Sequence, residues 1–230
     1  MTRSRFISGA FCLVALTLTV SAADAAKKSE KAAKPQEPVA TDTSLDNLKD
    51  APPPPTLACE GPFAKDATHA KLEASFGAKQ VTYKDVPTTN DAITKASVVF
   101  DDDPRRRIVV YWKDNKARAK PAAVAVDAPS TWKGPGGVRN GLSLKEVAQL
   151  NGDDFKVTGF GGVGGGEISG LKGAFINLPG DCSLMIRLEP GIANPLPPRF
   201  ASVTGDVLIA SSNLILRRVR PQVVEWRLKY

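Results

Sequence analysis

Histidine is nearly missing from this chain: His69 is the only one in 230 residues. That count excludes zinc sites of the His-x-x-x-His kind and any Ser-His-Asp triad not built on His69. Gly-x-Ser-x-Gly elbows and Walker loops are also lacking, as is any Cys-x-x-Cys redox pair. No run after the N-terminus approaches the roughly 20 apolar residues of a membrane span. Neither a cofactor nor a metal is expected. The enzymatic class left open is carboxylate chemistry, since a glycosidase pair need only meet in space. Nothing in the sequence singles out such a pair.

What is present at the N-terminus is a leader. Arg3 and Arg5 precede an apolar stretch from Phe6 to Val20, and Ala23-Asp24-Ala25 places small residues at both cleavage-determining positions. Cys12 lies inside the apolar stretch behind Phe11, where lipoprotein processing needs a small residue. The expectation is a cleaved Sec-type signal peptide over 1–25 and a periplasmic or secreted mature chain. Cleavage removes Arg3, Arg5 and Asp24 from a chain of net charge +7, leaving about +6. A balance of that size serves solubility and also favours anionic partners such as lipid headgroups or acidic wall polymers.

Cysteine is scarce too, with three in the chain. Losing Cys12 leaves Cys59 and Cys182, a pair in a compartment that permits disulfides. Joined, they would close a loop of about 124 residues, for which chain entropy gives at most roughly 5 kcal/mol. A metal pair or a redox couple are the alternatives. Residues 26–56 are rich in Ala, Lys, Pro, Glu and Thr, have no aromatics, and end in Pro52 to Pro55. Such a segment buries too little apolar area to offset its ordering entropy, so a disordered linker is expected there. A polyproline docking segment is the other reading.

The folded region expected over 57–230 shows one order of signals twice, 75 positions apart. Thr68 begins a capped helix closed by Gly77, in which His69, Leu72 and Phe76 share one apolar face, so core packing or a surface contact is expected of the histidine rather than catalysis. Strand-like runs follow at 80–83, 96–100, 108–112 and 122–126. Ser143-Leu-Lys-Glu146 is a capping box, and Asn151-Gly152 ends the second helix. Strands are expected at 155–160, 167–169, 174–178 and 183–188. A tail of strands over 201–230 follows, with runs at 202–211 and 213–219. It ends at 223–230, where Val224, Trp226, Leu228 and Tyr230 alternate. The fold class is therefore α+β: two tandem helix-plus-four-strand units (68–127 and 143–200) packed as one domain, with antiparallel sheets and a C-terminal strand extension.

Helix plus four antiparallel strands, twice over, resembles the β-lactamase-inhibitor-protein-like fold. Gly141-Leu-Ser-Leu-Lys-Glu-Val-Ala-Gln-Leu-Asn-Gly152 is similar to the helix start of the small outer-membrane assembly lipoproteins of the SmpA/OmlA (BamE) type, although this chain has no lipobox. Asn151-Gly-Asp-Asp-Phe155, Gly159-Phe160 and the following glycines, with Cys59-Glu-Gly-Pro-Phe63 and Phe76-Gly77, resemble uncharacterised exported proteins of proteobacteria. That resemblance spans most of the folded region and implies export but no activity. The aromatic and acidic residues expected within the glycine cluster are replaced here by Gly161-Gly-Val-Gly-Gly-Gly166.

Three clusters carry candidate chemistry. Gly159-Phe-Gly-Gly-Val-Gly164 matches a dinucleotide fingerprint, but the following Glu167 to Gly173 is poor helix material, so a hairpin loop or bulge is expected. Asp101-Asp-Asp-Pro-Arg-Arg-Arg107 reads as a solvated turn with local ion pairs rather than a calcium or phosphate site. Arg217, Arg218 and Arg220, with Arg227 and Lys229, make the C-terminus basic beside Trp226 and Tyr230, as candidate contacts for an anionic polymer or else the polar face of an edge strand. Trp132, in a Ser-Thr-Trp-Lys-Gly-Pro-Gly-Gly loop, is the candidate aromatic anchor, while Trp112 and Trp226 suit the core as well as a surface. The function expected is a non-enzymatic binding or scaffold protein of the cell envelope, with an envelope protein or an anionic wall or lipid surface as partner. Nucleic acid is not an expected partner. The alternative is a hydrolase or ligand-binding protein acting on a wall glycan or peptide.

Overall fold

The computed structural model describes residues 56–88 and 92–230. The signal peptide expected over 1–25 and, apart from Thr56, the linker expected over 26–56 lie outside the described residues. The first half follows its periodicity closely. Helix α1, His69–Phe76, is capped by Thr68, whose side chain accepts from the Lys71 amide at 3.1 Å, and stops at Gly77 with φ of 90°. The valine- and isoleucine-rich runs then form an antiparallel meander. It comprises β1 (Val81–Pro87), β2 (Ile93–Val99), β3 (Ile108–Asp114) and β4 (Ala119–Asp127).

The second half opens with α2, Leu144–Asn151, whose capping box is complete: Ser143 and Glu146 each satisfy the other's backbone amide. From there its strands divide between two sheets. Strands β5 (Lys156–Thr158) and β6 (Ile168–Ser169) pair with each other, and β5 also pairs with β8 (Leu208–Ala210). Strand β7 (Ser183–Glu189) joins the large sheet through β9 (Gln222–Lys229). The result is an α+β fold with a six-stranded antiparallel sheet, order β1-β2-β3-β4-β9-β7, and a three-stranded one, order β6-β5-β8.

Some elements depart from expectation. Residues 174–178 are not a strand: Gly173–Phe175 is a single 3-10 turn that buries Phe175 alone. Residues 213–219 hold helix α3, Leu214–Arg218, because the Asn213 side chain accepts from the Ile215 and Leu216 amides at 2.8 and 3.0 Å. Strand β9 is interior rather than an edge, pairing with β4 on one side and β7 on the other. The edge-strand reading of Arg227 and Lys229 therefore fails. A register shift against β7 also moves the buried stripe to Val223, Trp226 and Leu228, so Val224 is only half-buried.

One face of the large sheet packs the main core, including Val99, Val110, Val124, Ile186 and Trp226. Its other face carries a smaller cluster of Val86, Ala96, Val98, Val109 and Ala125. Cys59 and Cys182 form a disulfide with Cα atoms 6.3 Å apart, joining the segment before α1 to the residue before β7.

Candidate functional site

The lone histidine sits where a triad would be sought. His69 Nδ1 is 2.7 Å from Ser97 Oγ and its Nε2 is 3.4 Å from Glu73 Oε1. The order serine, histidine, carboxylate is right, but Ser97 is fully buried and its hydroxyl also accepts the Trp112 indole N–H at 2.8 Å. A nucleophile must meet substrate, and this one meets only core. Glu73 needs a donor, which fixes the neutral ring's proton on Nε2. Burial pushes the His69 pKa down; Glu73 opposes this and the Arg118 charge adds to it.

The Asp101–Arg107 segment is a turn between β2 and β3 laced with ion pairs. Lys84 and Arg107 reach Asp101 at 2.6 and 3.5 Å, and Arg106 reaches Asp103 at 2.7 Å. Lys84 first, and then Arg107, hold the Asp101 carboxyl below its usual range; Arg106 does the same for Asp103. The glycine cluster leads into β6, not into a helix. Gly166, at φ of 81°, lies against the Leu188 carbonyl so closely that a Cβ would collide with it, while its amide bonds Thr158 O. The glycines let this loop press onto β7, and the loop opens no helix whose N-terminus would hold a pyrophosphate.

Trp132 is corrected from exposed anchor to core residue. It is 7% exposed, and its indole N–H donates to the Arg106 carbonyl at 2.9 Å. Trp112 and Trp226 are buried as well.

Clefts on the outside of the fold are the remaining places where a ligand could sit. The first, about 540 Å³, lies where α2 begins, α3 ends and β9 starts. Its apolar lining is Leu144, Ala148 and Pro221, and its charged lining is Lys145, Arg217 and Arg220, with no carboxylate among the described residues. The wall is held by backbone bonds from Leu144 N to Pro221 O (3.1 Å) and from Val223 N to Leu142 O (2.8 Å). Arg217, Arg218 and Arg220 are exposed, and among the described residues none of them makes an ion pair. Arg218 does not line the cleft. Arg220 stands in the left-handed region at φ of 49°, just past α3, where glycine is the ordinary choice.

The second cleft, about 350 Å³, lies on the outer face of the large sheet beside the glycine loop. Glu225, 1% exposed, is gripped by Arg187 Nε at 2.7 Å and by Arg227 Nε. Its cross-strand neighbour is Asp127. Burial, and then the Glu225 charge, push the Asp127 pKa up. Burial also raises the Tyr111 phenol, whose hydroxyl donates to Pro87 O at 3.1 Å. Asp127, Arg187 and Glu225 were not legible as a group, being scattered over three strands; the only hint was a charge inside Val124-Ala-Val-Asp127 and Val223-Val-Glu225-Trp226.

Among the described residues no helix is long and apolar enough to cross a membrane, and no three His, Cys, Asp or Glu side chains gather as metal ligands. Comparison with protein-family models, curated proteins and solved structures finds no match.

Proposed function

We propose that this chain is an exported, non-catalytic binding protein of the cell envelope that receives an acidic, apolar segment of an envelope protein at the cleft between α2 and α3. The observation that carries the reading is a cleft whose charges are all positive and whose walls are apolar. Unpaired arginines beside greasy walls favour a partner that brings both a carboxylate and hydrophobic side chains. The disulfide fits an oxidising compartment, as the leader over 1–25 requires. The test places photocrosslinkers at Arg217 and Gln222, and at Lys79 as a control, in the intact envelope. The protein captured at the first two positions is then titrated against the purified chain. Binding should weaken at least tenfold in Arg217→Ala and in Arg220→Gly. The second of these relaxes a left-handed backbone position, so a loss of affinity there is not a loss of fold. Capture of lipid alone would end this reading.

A second reading, hydrolysis of a wall glycan or peptide, draws on the other cleft. A carboxyl with a raised pKa beside a second carboxylate is the arrangement an acid catalyst needs. Against it, both Glu225 oxygens are already taken by arginines.

A further inference from the structure

A third cleft, about 700 Å³ and broadly open, lies between the β2–β3 turn and the loop from β4 to α2. It is built rather than incidental. Thr131 donates twice to the Arg105 carbonyl, from its amide at 2.8 Å and its hydroxyl at 3.1 Å, and Trp132 donates to the Arg106 carbonyl. Asn140 Nδ2 spans the loop's base, reaching Val126 O at 3.4 Å and Ser130 O at 3.3 Å. The buried tryptophan thus positions its neighbours along the cleft.

Among the described residues the lining holds Arg105, Arg106, Lys133 and Arg139 and no acid. Arg106 and Arg139 are partly engaged, by Asp103 at 2.7 Å and Glu146 at 3.6 Å. Arg105 and Lys133 have no ion-pair partner among the described residues. Two further lining residues carry buried polar atoms with no hydrogen-bond partner among the described residues: Ser130 Oγ, on a residue 3% exposed, and Asn140 Oδ1. Buried polar atoms are rarely left unpaired, so such atoms call for a partner. Asn140 Oδ1 only accepts, so a fully ionised anion leaves it unsatisfied. The partner must bring a hydrogen-bond donor, which a hydroxyl supplies, together with its negative charge.

We infer that this cleft binds an anionic sugar, a uronate or sugar phosphate. Arg105 and Lys133 take the charged group, and Ser130 Oγ and Asn140 Oδ1 take the ring hydroxyls. The volume lies in the small-ligand range of roughly 300–1,000 Å³. This inference is independent of the cleft between α2 and α3.

The test is calorimetric titration of the full chain with glucuronate and glucose 6-phosphate, with glucose and sulfate as hydroxyl-only and charge-only controls. An anionic sugar should bind at least tenfold more tightly than either control. Arg105→Gln with Lys133→Gln should remove at least tenfold of that affinity. Ser130→Ala should weaken binding several-fold while raising the melting temperature, because it deletes an unpaired buried hydroxyl. Polygalacturonate binding above glucuronate would assign the source to a polymer, and equal binding to a free sugar; both support the site. Sulfate or glucose binding as tightly as the anionic sugars would overturn it. So would Ser130→Ala at full affinity, or no binding by any anionic sugar.

Discussion

Trp132 sends its ring into the core and its N–H to the Arg106 carbonyl, and the loop around it takes its shape from that single side chain. A tryptophan among glycines, serine and lysine looks like a surface anchor in sequence, since nothing local says which way the ring turns. His69 was more legible: its place on the apolar side of a capped helix pointed to packing, and packing is what the structure has. Its pH behaviour follows. Unfolded histidine titrates near pH 6.5, and burial puts the folded value lower. Above the unfolded value the ring is neutral in both states and nothing is lost. Below it the unfolded chain takes up a proton first, so stability falls with pH until the folded ring titrates as well. Urea midpoints measured from pH 7.5 to 5 should drop more steeply for the parent than for His69→Gln. Parallel curves would show that this ring contributes nothing to acid sensitivity.

At the scale of elements, local signals sufficed wherever a segment's partners were its sequence neighbours. The strands of the β1–β4 meander and both capped helices formed as their periodicity indicates. The failures have local causes. Asn213 caps α3 with its side chain, a lone N-cap signal ahead of an apolar run that otherwise resembles a strand. Residues 174–178 sit between Gly173 and Pro179-Gly180, which leave room for one turn. The glycine run is a packing device, and Gly166 is its contact point. Gly166→Ala adds a Cβ against the Leu188 carbonyl in a left-handed backbone. The expected cost is about 3 kcal/mol, combining a left-handed penalty of 1–2 with overpacking. Chemical denaturation measures it, and a variant as stable as the parent would mean that the loop does not rest on β7.

For the whole molecule, the tie between Cys59 and Cys182 spans 123 positions and connects the two halves covalently. Cys59→Ala with Cys182→Ala should lower stability by about 2–5 kcal/mol. Dithiothreitol should bring the parent's urea midpoint down to the variant's while leaving the variant's unchanged. A parent indifferent to reductant would show that this loop restrains little in the unfolded chain.

The amino-acid sequence alone determined the cysteine pair, the capped helices, the α+β class and the poverty of catalytic side chains. These depend on residue type and on spacing within about ten positions, where chain geometry is fixed by helix and strand periods. Tertiary structure alone decided that β9 enters between β4 and β7, that Asp127 faces Glu225, and that Lys145 shares a cleft with Arg217 and Arg220. These join residues some 40 to 100 positions apart. Such meetings are selected by how the apolar faces of whole sheets and helices cover one another, a global optimum that no window of sequence contains.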